Sequence, residues 1–257
     1  MTPINVLLLN SCLIAVIMVL LWLVSLPTKN ASSVDIFWGI GFVIIAWVTF
    51  FAARNLSSRS ILISLLTSLW GLRLGGYLAW RNIGKGEDYR YRAMRDKIGA
   101  NFPLVSLFVV FGLQGLIMWV VSIPIQVAQF GAATLGWIDA IGVGFWTVGW
   151  LFESIGDWQL AHFKAIPDNR GQVMDRGLWR FTRHPNYFGD FMVWWGFYVI
   201  AVAAGAWWTI FSPILMSILL LRVSGVTLLE SSLKKNRPGY EDYVARTSVF
   251  LPRPPKR

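Results

Sequence analysis

The chain has 257 residues, 56% hydrophobic and only 14% charged, with 15 Trp and 17 Phe. Several apolar runs reach the ~18–20 residues that cross a bilayer, which excludes an ordinary soluble domain and points to an all-α, multi-pass membrane protein. The net charge of +10 would suit nucleic acid, but the basic residues gather in alternate loops, a topology signal and not a nucleic-acid surface. One cysteine, Cys12, excludes an intrachain disulfide, and with two histidines no zinc or haem ligand set presents itself, so no metal is expected.

Seven spans are predicted, forming a single transmembrane domain over residues 1–257. Span 1 covers about Ile4 to Leu26 and is closed by Pro27; it lacks the basic start of a signal peptide. Span 2 runs from near Val34 to Ala53, span 3 from about Ser60 to Trp80, and span 4 from about Phe102 to Ser122. Span 5 covers about Trp137 to Phe163, span 6 Tyr187 to Ala204, and span 7 about Thr209 to Leu233. With the amino terminus outside, the inner segments hold nineteen basic residues and the outer ones only Arg54 and Arg59. That asymmetry predicts a cytoplasmic carboxy terminus. Gly71 and Gly75 are spaced to bring two helices close. The G-x-G pairs at Gly39/Gly41 and Gly142/Gly144 lie inside apolar spans with no strand before them, so neither is a dinucleotide fingerprint.

Ionisable residues inside spans are costly and therefore functional candidates. In span 3, Arg73, Tyr77 and Arg81 fall four apart on one stripe, with the phenol between two guanidinium groups and placed as a proton donor. The structural alternative pairs Arg73 with a span-5 carboxylate and lets Arg81 snorkel to the interface. Span 5 carries Glu153 and Asp157 on one face, with His162 beyond. Asp35 opens span 2 as a helix-start acid, and Arg222 and Glu230 lie two turns apart in span 7.

Between spans 5 and 6 lies D-N-R-G-Q-V-M-D-R-G-L-W-R-F-T-R-H-P-N-Y-F-G-D, residues 168–190. Such a run must sit at the water boundary or line a protein-walled cavity. It holds Asn169, Arg170, Arg176, Arg180, Arg183, His184, Asn186, Tyr187 and Asp190. Pro185 suits a first helical position, so free N–H groups and the positive dipole end would face Arg183 and His184, a setting for phosphate. The bland alternative is a basic loop that only fixes topology. The tail, P-G-Y-E-D-Y-V-A-R-T-S-V-F-L-P with Tyr240 and Tyr243, mixes aromatics with charge and is expected to fold back over the inner mouth of the bundle.

The stretch G-L-W-R-F-T-R-H-P-N-Y-F-G-D, with V-D-I-F-W-G-I-G-F, L-W-G-L-R-L-G-G-Y-L-A-W-R-N-I-G-K-G-E-D-Y-R-Y and the tail motif, resembles the DUF1295 family. That family is similar to the carboxy-terminal domain of steroid 5α-reductases, in a superfamily shared with sterol Δ14-reductases and isoprenylcysteine carboxyl methyltransferases. The resemblance implies a cofactor pocket built from residues 102–257 and its cytosolic loops, with a lipophilic substrate admitted from the bilayer. It implies that Asp157 contacts the cofactor, that Asn186 and Asp190 belong to the P-N-x-x-G-[DE] segment, and that Tyr77 polarises a substrate carbonyl. The Gln-Glu pair that holds a steroid ketone is missing from span 2.

The expected activity is NADPH-dependent reduction of an activated C=C bond, with Tyr77 or Glu153 as proton donor. The expected cofactor ligands are Arg73, Arg81, Asp157, Asn169, Arg170, Arg176, Arg180, Arg183, His184, Asn186, Tyr187, Asp190, Tyr240 and Tyr243, with Arg170, Arg176, Arg180 and Arg183 on phosphates. The alternative is an S-adenosylmethionine-dependent membrane methyltransferase. A third class, a lipid-binding or transport protein, needs no cofactor.

Overall fold

The computed structural model describes residues 1–131, 134–223 and 238–256, and among these all regular structure is helical, with no strand. The helices are α1 (Pro3–Thr28), α2 (Ser33–Ala53), α3 (Ser58–Asn82), α4 (Tyr89–Ile98), α5 (Phe102–Ser106) and α6 (Leu113–Val121). They continue with α7 (Ile123–Val127), α8 (Trp137–Ala165), α9 (Pro185–Ala203), α10 (Phe211–Ile218) and α11 (Tyr240–Arg246). Five segments are long and apolar enough to cross a bilayer: α1, α2, α3, the run Tyr89–Val121 and α8. Residues such as Leu8, Val16, Leu20 and Val24 on α1 are exposed, as they must be where the solvent is lipid. The chain is a multi-pass α-helical membrane protein.

It divides into two compact units, Met1–Leu135 with Ala201–Ala206, and Gly136–Ile200 with Trp207–Arg257. In the first unit α2 and α3 touch at glycine. A Cβ on Gly39 would strike the carbonyl of Gly71, and one on Gly71 would strike the carbonyl of Gly39. The close approach expected of Gly71 and Gly75 is present, and the Gly39 of the G-x-G pair serves it. Deeper in the unit Asn10, fully buried, donates its Nδ2 to Thr49 Oγ1 at 2.9 Å and to Gln126 Oε1 at 2.8 Å. These bonds tie α1, α2 and α7 where no water can substitute for them.

Four segments differ from the sequence reading. Residues 81–97, expected as an inner loop, contain α4, started by Asp88, whose carboxylate accepts from the Arg90 N–H at 3.0 Å. This helix is too short and charged to register as a span, yet it runs on through a 3₁₀ turn into α5. Residues after span 4 stay helical and buried through Ala128. Arg59, expected in an outer loop, is 3% exposed in the first turn of α3 and donates to the Thr134 carbonyl at 2.8 Å. The seventh expected span begins as a 3₁₀ turn at Trp207–Ile210, α10 and a π-helical turn Leu219–Val223; its remainder, with Glu230, lies outside the described residues.

In the second unit α8 and α9 meet along a second glycine seam, spaced by sevens. Gly142, Gly149 and Gly156 of α8 face Gly196, Gly189 and Pro185 of α9. A Cβ on Gly149 would lie 2.5 Å from the Gly189 carbonyl oxygen and 2.6 Å from the Val193 nitrogen, whereas one on Gly144 would meet nothing within 4 Å. Gly149→Ala is therefore expected to cost about 1–3 kcal/mol through forced separation of the two backbones. Gly144→Ala should be neutral, or more stable by up to about 1 kcal/mol from helix propensity. Thermal unfolding of the two variants in detergent checks this; equal melting temperatures would show that the seam does not hold the pair.

Candidate functional site

The polar stretch between α8 and α9 is held from both sides. On the α8 side, Trp179 donates its Nε1 to the Gly156 carbonyl at 3.1 Å, and Gln159 Oε1 accepts from the Leu178 N–H at 3.0 Å. The turn between them is at Gly177, whose φ of +59° favours glycine. From the other side comes the tail. Arg183 donates its backbone N–H to the Ser248 carbonyl and its Nη1 to the carbonyls of Val244 and Thr247, at 2.9, 3.0 and 3.1 Å. Thr182 Oγ1 donates to the Phe250 carbonyl at 2.8 Å, and Tyr243 OH donates to the Trp179 carbonyl at 2.5 Å. Burial pushes the Tyr243 phenol above its ordinary range, Tyr240 adds to the shift, and the Arg183 charge opposes it. Phe250 sits edge-on to Phe188 and Phe191 of α9. The tail thus folds back onto residues 179–191.

α9 begins at Pro185, the first helical position expected from the missing N–H. His184, 3% exposed, stacks on Tyr187 with ring centroids 5.6 Å apart and planes 11° apart. Asn186 donates its Nδ2 to Asp157 Oδ1 at 3.2 Å. Asp157 and Glu153 are 6% and 4% exposed, on the buried face of α8. The structure therefore brings together Asp157, Asn186, His184, Tyr187, Arg183 and Tyr243. Asn169 instead caps α8, donating its Nδ2 to the Phe163 carbonyl at 3.0 Å.

Beside this layer lies a cleft of about 710 Å³ lined by Asp175, Arg176, Gly177, Arg180, Arg246, Thr247, Pro254, Pro255 and Lys256. Four cationic side chains line it against one carboxylate, Asp175, which accepts from Arg246 Nη2 at 2.7 Å. Of the four arginines expected on phosphates, Arg176 and Arg180 line the cleft; Arg170 is exposed outside it, and Arg183 is buried against the tail. Arg246 and Lys256 were not among the expected ligands. Only the position of Arg246 within the tail motif hinted at its part.

In the first unit, Arg81 places its guanidinium 5.8 Å from the ring centroid of Tyr77. It also donates its Nε to Asn82 Oδ1 at 3.1 Å. Arg73 and Tyr77 are half-buried on the same helix. A further cluster surrounds Asp35, which accepts from Arg90 Nη2 at 2.7 Å and from Tyr91 OH at 2.6 Å. Tyr91 OH accepts in turn from Gln114 Nε2 at 3.1 Å, and Gln114 Oε1 accepts from Trp38 Nε1 at 2.5 Å. Asp35 is a first-turn acid, as expected, but its partners come from the stretch taken for a loop.

Residues 21–247 match the family described as protein of unknown function (DUF1295). The chain is a DUF1295 protein. An uncharacterized protein of Schizosaccharomyces pombe, C594.04c, is 26% identical to it over 91% of this chain and 76% of its own length. No solved structure matches. Within this DUF1295 protein, two of the stretches that carry the family resemblance, V-D-I-F-W-G and G-E-D-Y-R-Y, meet at the Asp35–Arg90–Tyr91 contacts.

The second of those stretches also contains Glu87, which accepts from Arg95 Nη2 at 2.7 Å, from Arg95 Nε at 3.0 Å and from the Ala31 N–H at 2.9 Å. Burial works to raise the carboxyl, but these three donors outweigh it and hold it below its ordinary value of 4.5. A carboxyl lowered in the folded state adds stability above its unfolded value, and that stability is lost as pH falls through the folded value. Glu87→Gln is therefore expected to melt below the parent at pH 7. The gap should close as the pH falls below 4.5. Melting curves in detergent at pH 7 and at acid pH measure it, and a gap of constant size would rule out ion pairing as the contribution of Glu87.

Proposed function

We propose that this DUF1295 protein is an NADPH-dependent membrane reductase that acts on an activated C=C bond in a lipophilic substrate drawn from the bilayer. The observation that carries the reading is the basic cleft. Arg176, Arg180, Arg246 and Lys256 line one space, and guanidinium forks are suited to bidentate phosphate contacts. The same unit holds the buried Asp157–Asn186 contact, whose amide and carboxylate fit the hydroxyl and amide groups of a nucleotide. When bound, the dinucleotide supplies the hydride. The chain's own work is to bind phosphate at the four cations, to orient the nucleotide at Asp157 and Asn186, and to hold a proton for the substrate. Tyr77 is the proposed proton donor and Glu153 its alternative. The arginine-bearing segment faces the cytoplasm in this reading, with the positive-inside bias setting the orientation.

S-adenosylmethionine carries a sulfonium cation in place of a diphosphate, so four cations in one cleft favour the dinucleotide over a methyl donor. The test is cofactor titration of the detergent-purified protein. NADPH should bind more tightly than NADH, because the additional phosphate needs cationic partners. Arg176→Gln with Arg180→Gln should remove that preference, and Asn186→Ala should weaken both nucleotides by about 1–3 kcal/mol. Tyr77→Phe should leave nucleotide affinity in place and slow turnover by roughly 10²-fold. Equal affinity for NADPH and NADH, or tight binding of S-adenosylmethionine alone, overturns the reading.

A further inference from the structure

α8 carries a line of polar atoms that the basic cleft does not use. Trp146, Trp150 and Ser154 recur every four residues and so share one stripe of the helix. The Nε1 atoms of both indoles and the hydroxyl of Ser154 are sealed from solvent, and none meets a hydrogen-bond partner. Trp146 is 4% exposed, and its ring stacks on that of Trp150 with centroids 6.0 Å apart and planes 13° apart. Continued along α8, the line reaches Asp157, which already holds Asn186. At ~1.5 Å per residue, Trp146 and Asp157 are roughly 16 Å apart along the axis.

Buried polar groups are nearly always satisfied, and a run of three unsatisfied ones within a membrane-spanning helix needs a reason. Packing alone does not supply it, since phenylalanine or leucine would fill the space without an idle donor. A water accepting from either indole would still have to place its own hydrogens, for which the indoles offer no acceptor. What two indole donors and a hydroxyl require is an acceptor oxygen. Trp150 and Ser154 are half-buried, at the margin between the buried face of α8 and its exposed residues Leu151 and Ile155. A ligand reaching them enters sideways from lipid.

We infer that Trp146, Trp150 and Ser154 form a donor lane that takes an elongated lipid with a conjugated carbonyl, the indole N–H groups donating to its oxygen. That the carbonyl is conjugated rests on the reductase reading; the need for an acceptor rests on the unsatisfied donors alone. Since the donors require only an acceptor oxygen on an elongated apolar chain, a simple enone serves as probe.

The experiment measures equilibrium binding of tritiated hexadec-3-en-2-one to the full chain in detergent, with hexadecane as competitor. The wild type should bind the enone saturably, and hexadecane should not displace it. Trp146→Phe and Trp150→Phe keep an aromatic ring and remove one donor each. The double variant should bind the enone about tenfold more weakly or worse, and Ser154→Ala a few-fold more weakly. Thermal unfolding of the same samples in detergent reports whether each variant is folded, and NADPH titration tests the reductase reading separately. Should the double variant fail to yield folded protein, Trp150→Phe and Ser154→Ala, at the half-buried margin, carry the test. Absence of saturable binding to the wild type, displacement by hexadecane, or unchanged affinity in the folded variants overturns the lane. Enone binding that depends on the indoles in a protein that binds no NADPH would retain the lane and discard the reductase reading.

Discussion

Inside a bilayer, lipid is as apolar as leucine, so two helices gain nothing from burying leucine against each other. They gain from close van der Waals contact, and that requires side chains small enough to let backbones approach. The α8–α9 seam shows how much follows from this. Gly149 and Gly189 bring the two backbones together so closely that a methyl group at either position would strike the partner's main chain. Glu153 and Asp157 lie one and two turns beyond Gly149, and Gly156 places the α8 backbone against Pro185 and the Asn186 nitrogen. The 3.2 Å contact between Asn186 and Asp157 depends on that approach. A buried acid at the end of a helix pair is thus positioned in part by glycines on the same face of the helix.

The same logic divides the polar residues by what surrounds them. Asn10 donates to both Thr49 and Gln126 within the hydrocarbon zone and holds three helices in register. Asp35, Arg90, Tyr91 and Gln114 form a chain of contacts in which each group has a partner of the right kind. Such networks rigidify a bundle, and the completeness of the second argues for scaffold over chemistry. The basic cleft is the reverse case, with four cations around a space and one carboxylate among them. Like charges gathered without enough acids repel, and an arrangement of this kind is most stable with an anion between them.

Much of this was legible in the sequence, and the parts that were not share a cause. Apolar length revealed the five segments long enough to cross a bilayer because lipid imposes it locally, residue by residue. Pro185 revealed the start of α9 because the missing N–H is harmless only in the first turn. Gly71 and Gly75 revealed close packing by spacing alone. By contrast α4 was hidden, since a ten-residue helix with five charged side chains has no span signal and reads as loop. Asp35 announced itself as a helix-start acid, but its partners stand 55 and 56 residues away, and no local pattern records them. Arg59 was taken for an outer loop residue because nothing near it in sequence marks the Thr134 carbonyl as its acceptor.

The arginines between α8 and α9 give the sharpest case of what residue type leaves open. Arg176, Arg180 and Arg183 are chemically identical and lie within eight residues of one another, yet they do different things. Arg183 lies where the chain is buried between α9 and the tail, and its guanidinium donates to the main-chain carbonyls of Val244 and Thr247. Arg176 and Arg180 flank the 3₁₀ turn Gly177–Arg180, are exposed, and line the cleft. The division is made by the tail. By drawing Arg183 inward it clamps residues 246–256 beside that turn, and this brings Arg246 and Lys256 to the same cleft. One buried arginine therefore acts on the cleft indirectly, by holding beside it two further cations that the 168–190 stretch does not itself contain.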